Sequence, residues 1–275
     1  MADELEARTA DGITLRIDRV RAQGDARGAV VCLHAMMTDG RYFGARRPDG
    51  FAAALAARGL DVYVADFRGH GRSRPPHAGK DGDWSFDDLV ELDLPAIVAA
   101  VPPGAALLGH SLGGLAACAA LGTGRIPPPR LLVLATTSVW LGETPARRAI
   151  MAVYRGTTQL AGKAPIRALG IGPADESRTY VEQLTSWCRT GRWTSLRGLD
   201  YLAALAAIDV PAVALASGAD WMCRPADAAR IAERIATCAP LHVVPRANHF
   251  NLFARDDVRD LVAATIGSRY SSTRS

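Results

Sequence analysis

Gly109-His110-Ser111-Leu112-Gly113, with Gly114 behind it, sets a serine between two positions that carry no side chain. An apolar run at 105–108 precedes it and an Ala-rich stretch at 112–121 follows it. A hydroxyl raised on a tight strand-to-helix turn, above the N–H groups of a helix start, is what a serine nucleophile requires. Such a hydroxyl is weakly nucleophilic by itself and needs a base beside it. Of the six histidines, His249 follows an apolar run at 241–244 in Arg246-Ala247-Asn248-His249-Phe250, and strand-end loops of a parallel sheet are where sites gather. His242 lies inside that run and reads as structural, His110 adjoins the serine and points away from it, and His77 sits in a Pro/Gly loop. The base in turn needs an acceptor to fix its tautomer. Asp220, in Gly218-Ala219-Asp220-Trp221 after the run at 211–217, supplies it and gives the chain order Ser, Asp, His. Glu143 and Asp227 are the rival carboxylates, and Asp227 reads more simply as a first-turn helix charge.

Acyl chemistry at such a serine also needs two N–H donors for the tetrahedral oxygen. Leu112 provides one backbone N–H, and Met36, in the loop His34-Ala35-Met36-Met37, is expected to provide the other. His34, Met37, Trp140, Trp187, Trp221 and Phe250 are the expected lining of a substrate pocket. Asp66-Phe67-Arg68-Gly69-His70-Gly71-Arg72-Ser73 is a second dense motif, in which Arg68 is expected to pair with Asp66 or to hold a loop near the site.

The elements that must position these residues alternate. Short apolar runs at 29–33, 61–64, 105–108, 131–135, 211–217 and 241–244 interleave with helical patterns at 51–58, 84–101, 112–121, from about 225, and at 256–266. That rhythm predicts βα units and a mostly parallel sheet, with 12–22 as an antiparallel edge strand. The stretch 139–205 breaks the rhythm with aromatics and arginines and no clear strand. It is too long for a structureless loop, so a helical cap insertion is expected there, with 1–138 and 206–275 forming the core. The tail from Ser268 is polar and expected to fray.

The 275 residues suit one large domain or two small ones, with 49% hydrophobic and 22% charged residues. A net charge of +4 without charge runs gives no reason to expect nucleic acid. Five scattered cysteines without a CxxC pair argue against a disulfide framework or a zinc site, and no P-loop or GxGxxG follows a strand. No metal and no cofactor is expected. The first residues lack a basic stretch followed by an apolar one, and no apolar run is long enough to span a bilayer, so the expected location is the cytoplasm.

GHSLGG at 109–114, DFRGHGRS at 66–73, HAMM at 34–37, GAD at 218–220 and NH at 248–249 together resemble the α/β-hydrolase superfamily over about residues 25–267. Within it the chain looks like the serine-aminopeptidase and monoglyceride-lipase-like hydrolases. It is also similar to a bacterial group of predicted hydrolases in the Ala35-Met36 pair, RGxGRSRP, the helix with Trp84 and Asp93, and WCRxxRW at 187–193. The resemblance implies an α/β-hydrolase fold: an eight-stranded, mostly parallel sheet flanked by helices with a helical cap. It also implies the roles given above to Ser111, His249 and Asp220. The usual His-Gly of the oxyanion loop is His34-Ala35 here. The expected activity is hydrolysis of an ester, thioester or amide of a small, partly apolar acyl substrate through an acyl-enzyme. An acyltransferase, a triad-bearing receptor, and a C–C hydrolase or haloperoxidase-like enzyme are the alternatives. Substrate identity and the choice of monomer or homodimer stay open.

Overall fold

The structure is a computed structural model that describes residues 2–271. Eight strands form one sheet: β1 (Asp3–Arg8), β2 (Thr14–Val20), β3 (Gly28–Leu33), β4 (Leu60–Ala65), β5 (Ala106–His110), β6 (Leu132–Ala135), β9 (Ala212–Ser217) and β10 (His242–Val244). Their spatial order is β1-β2-β4-β3-β5-β6-β9-β10, antiparallel through β2 and parallel from β4 onward. β4 and β5 are buried at every position, as strands covered by helices on both faces must be. Side chains of β3 divide by parity: Val31 and Leu33 enter one core, Val30 and Cys32 the other. The first core packs against α4 (Leu112–Gly122). The second packs against α1 (Phe51–Ala56) and α9 (Asp256–Ser271). α4 is buried at every position from Leu112 to Ala120, which accounts for its Ala-rich, non-amphipathic sequence.

Several expectations need correction. Residues 12–22 contain β2, which is not an edge: it pairs with β4 on one side and β1 on the other. The helix expected over 84–101 starts at a capping box between Ser85 and Asp88. It runs as α2 (Phe86–Asp88), a π turn at Leu89–Asp93 and α3 (Leu94–Ala99). Pro95 is the cause, because it lacks an N–H and its ring clashes with the carbonyl four residues earlier. Arg68 does not pair with Asp66. Its Nε donates to Asp93 at 2.8 Å and its Nη1 to Asp11 at 2.8 Å, while Asp66 accepts the backbone N–H groups of Gly40 and Arg72. The expected fraying from Ser268 fails as far as Ser271, since α9 continues to that residue. The Tyr270 hydroxyl bridges the carbonyls of Ala29 and Gly104 and accepts the Ala106 N–H. Residues 272–275 lie outside the described part.

Between β6 and β9 lie α5 (Pro145–Ala161), β7 (Lys163–Ala164), β8 (Glu176–Ser177), α6 (Arg178–Thr190) and α7 (Tyr201–Ala204). The stretch expected to be strandless therefore holds a small antiparallel ladder, β7 with β8. Thr144 and Ser177 cap α5 and α6, and Gly162 and Gly191 close them in the left-handed conformation. Buried polar bonds tie this segment to α2. Asp87 accepts from Gln183 Nε2 at 2.6 Å, Tyr201 OH at 2.8 Å and Leu196 N at 2.7 Å. Trp187, Trp193 and Tyr201 pack around Phe86. Among the described residues no helix is long and apolar enough to cross a membrane.

Candidate active site

Ser111 separates β5 from α4 and holds φ 52°, ψ −110°, a conformation that an L side chain adopts only under constraint. Its N–H donates to Ala135 O of β6 at 2.9 Å and its carbonyl accepts from Leu115 N of α4 at 3.0 Å, so those two elements pin it. The glycines permit this closeness. A Cβ at Gly109 would lie 2.4 Å from the Gly114 Cα, and one at Gly113 would lie 2.3 Å from the Leu33 carbonyl oxygen.

His249 and Asp220 come from adjacent loops. Gly218 N donates to Val244 O and Ala219 N to Ala247 O, which staples the loop after β9 to the loop after β10. The Asn248 side chain accepts the N–H groups of Phe250 and Asn251, fixing the turn around His249. His249 Nδ1 donates to Asp220 Oδ2 at 2.6 Å. Asp220 Oδ1 accepts the N–H groups of Met222 and Cys223 at 2.8 and 2.9 Å. The carboxylate thus acts only as an acceptor. Nδ1 carries the ring proton and Nε2 presents a lone pair. Both groups are buried, at 4% and 7% exposure.

His110 has a role that the sequence did not reveal. Its Nε2 donates to the His249 carbonyl at 3.0 Å and its ring stacks on Tyr42 at 4.7 Å, while the Tyr42 hydroxyl reaches the same carbonyl at 3.3 Å. Burial, and then the neighbouring His249, keep His110 neutral well below the usual histidine range. The residue beside Ser111 therefore holds the main chain of His249. Among the described residues no hydrogen bond joins the Ser111 and His249 side chains themselves. The rival carboxylates are occupied elsewhere: Asp227 by Arg147, Arg224 and Arg230, and Glu143 by Arg147 and Arg230.

The Leu112 N–H, first of α4, and the Met36 N–H, in the loop after β3, donate to no protein acceptor among the described residues. Met37 is different. It holds φ 61°, and its N–H donates to Glu176 Oε1 at 2.5 Å. Two expected pocket residues are core residues instead. His34 is fully buried, its Nδ1 donating to Ala35 O and its Nε2 accepting the Phe67 N–H, and burial followed by the neighbouring His70 pushes its pKa down to about 3. Trp187 is 2% exposed within the Phe86 cluster and donates to Thr194 O. His242, read as structural, is exposed on β10. Trp221 and Phe250, at 63% and 60% exposure, flank Asp220 and His249 at the surface. Trp140 lies 6.3 Å from the Trp221 ring and donates to the carbonyl of Met222, whose N–H donates to Asp220.

The family model of serine aminopeptidase S33 matches residues 24–256. The chain belongs to that family. It is thereby an enzyme of the α/β-hydrolase type. Its fold is that of an esterase from Exiguobacterium antarcticum, at a TM-score of 0.70 and 18% identity over 98% of this chain and 100% of that one. It is likewise that of a monoacylglycerol lipase from Paleococcus ferrophilus, at 0.64 and 18% identity over 92% and 99%. A bromoperoxidase from Bacillus anthracis shares it at 0.67 and 14% identity over 96% and 99%. Lipase member N of Mus musculus is 31% identical over 129 residues, 41% of this chain, and the match spans 32% of that relative's length.

Proposed function

We propose that this S33-family chain cleaves an ester, thioester or amide of a small, partly apolar substrate through an acyl-enzyme on Ser111. The observation that carries the reading is the 2.6 Å bond from His249 Nδ1 to Asp220 Oδ2, in a loop that His110, the residue before the constrained Ser111, holds by its main chain. That bond leaves the Nε2 lone pair to take the Ser111 proton, and Asp220 stabilises the imidazolium that results. The Ser111–His249 contact tightens as substrate enters, as catalytic hydrogen bonds commonly do. Ser111 Oγ then bonds to the acyl carbon, and the carbonyl oxygen becomes an oxyanion held by the Leu112 and Met36 N–H groups. His249 returns the proton to the leaving group, and water activated by the same imidazole releases the acid. Trp140, Trp221 and Phe250 form an aromatic rim suited to an apolar acyl or alcohol group. Segment 139–205 acts as the cap over that rim. An ester is favoured over a peptide with a free α-amine, because Glu143 and Asp227 are already matched by arginines and neither is left to bind an ammonium group.

Turnover of p-nitrophenyl butyrate and covalent labelling by a fluorophosphonate test this reading. Wild type is expected to do both and Ser111→Ala neither, with its melting temperature kept. A Ser111→Ala protein that hydrolyses at the wild-type rate refutes it.

A further inference from the structure

Glu176 is fully buried on β8, in the segment between β6 and β9, yet it reaches the loop after β3. Its Oε1 accepts the Met37 N–H at 2.5 Å and faces His70 Nε2 at 3.2 Å. His70 Nδ1 donates to Arg68 O at 2.8 Å, so with an ionised Glu176 both ring nitrogens carry protons and the two side chains form a buried ion pair. Glu176 Oε2 is buried and has no partner. A carboxylate sunk in the core with one oxygen unsatisfied is a poor device for stability. What it does achieve is local. The Met37 N–H is turned toward the inserted segment, and Met37 is kept at φ 61°, a conformation a methionine rarely adopts unaided. A second contact from the same segment acts on the carbonyl side of Met37. Gly172 approaches so closely that a Cβ there would lie 2.3 Å from the Met37 carbonyl oxygen. On the near side, the Ala35 carbonyl accepts from Thr38 Oγ1 and His34 Nδ1. The Ala35 carbonyl and the Met36 N–H belong to one peptide unit, which those two bonds orient, and Glu176 orients the next, so Met36 cannot turn independently between them.

We propose that Glu176 is a positioning residue for the oxyanion loop: by holding the Met37 N–H from the inserted segment, it leaves the Met36 N–H free to point toward Ser111. This rests on the function proposed above and extends it, since the insertion then sets one of the two oxyanion donors as well as covering the site.

The chain has five methionines, so selective 15N-methionine labelling gives a short, assignable spectrum. In wild type one amide, Met37, is expected far downfield and slow to exchange, as an N–H bonded to a buried carboxylate should be. A second, Met36, is expected to move when a boronate adduct forms on Ser111. In Glu176→Ala the Met37 signal returns to the ordinary range, and kcat for p-nitrophenyl butyrate falls about tenfold to a hundredfold with KM nearly unchanged, less than the loss of a whole oxyanion donor. Glu176→Gln, which keeps an acceptor oxygen, restores most of that kcat. If all wild-type methionine amides exchange quickly in the ordinary range, the inference is wrong, and this spectrum decides even where Glu176→Ala does not fold. A folded Glu176→Ala enzyme with wild-type kcat also overturns it. Failure of wild type to hydrolyse or to label is the separate outcome that removes the proposed function instead.

Discussion

Replacing Asp220 by Asn separates orientation from folding at this site. The Asp220 Oδ1 position accepts two backbone N–H groups, from Met222 and Cys223. In Asp220→Asn only the amide oxygen can serve those donors, so the amide NH2 is forced toward His249 Nδ1. A donor then faces a donor, and the imidazole moves its proton to Nε2, the nitrogen that must take the Ser111 proton. The loss expected from a base held in the wrong tautomer is about 10⁴-fold in kcat, or about 5 kcal/mol of transition-state stabilisation. Stability should change little, because both backbone bonds persist and the side chain keeps its volume. For a chain of this size each kcal/mol moves the melting temperature by about 2–4 °C. Steady-state hydrolysis of p-nitrophenyl butyrate, paired with a thermal melt, measures both. Glu143→Gln and Asp227→Asn are the controls. Their carboxylates hold Arg147 and Arg230, so they should lower the melting temperature and leave turnover close to wild type. A kcat for Asp220→Asn within about tenfold of wild type refutes the reasoning, since a tautomer reversal cannot cost so little. If Glu143→Gln then carries the large loss, the acid lies there instead.

Three further outcomes follow from packing and charge. His34 is neutral in the fold, with its pKa pushed down from 6.5 to about 3, so the unfolded chain binds a proton that the folded chain refuses between those values. Stability is fully present above about pH 6.5 and is lost as pH falls toward 3. Urea titrations across that window should show His34→Gln shallower by about 1.4 kcal/mol per pH unit, and identical slopes would exclude the effect. Gly113→Ala should cost both activity and melting temperature, because its Cβ meets the Leu33 carbonyl. Gly156→Ala, on α5 with nothing within 4 Å, should raise stability by about 0.5–1 kcal/mol, as a melt will report.

Local requirements are what made part of this molecule legible. Gly109 and Gly113 are demanded by the turn itself, and Asp220 and His249 stand where strands end, so types and spacing were enough to single out the turn and a pair that the fold brings into contact. The unread features depend on partners distant in sequence. β1 reads Asp-Glu-Leu-Glu-Ala-Arg and buries only Ala7 fully; its strand character comes from pairing with β2. Arg68 finds Asp93 only because the π turn at Leu89–Asp93 carries that carboxylate to it. Tyr270 looks like tail until its hydroxyl meets three backbone groups of other elements. Trp187 was grouped with Trp221 by residue type, and burial sets them apart, at 2% against 63% exposure. Glu176 belongs to no motif, and nothing in its neighbourhood along the chain announces a contact 139 residues away.

The two amides proposed to hold the oxyanion are supported in different ways, and the difference has consequences. Leu112 N–H is the first donor of a helix buried along nine successive residues, rooted in close glycine contacts with β3 and β5. The constrained dihedrals of Ser111, costing about 1–3 kcal/mol, are over-determined by that packing. A surface substitution elsewhere has no route to this donor. Met36 N–H is set by a short loop whose far end is held by residues of the segment between β6 and β9. If that segment is the cap proposed above, changes in it also act on the donor, and the proposal couples substrate choice to rate through Met37. Grafting a different segment onto this core should change kcat even toward a substrate small enough to touch neither version.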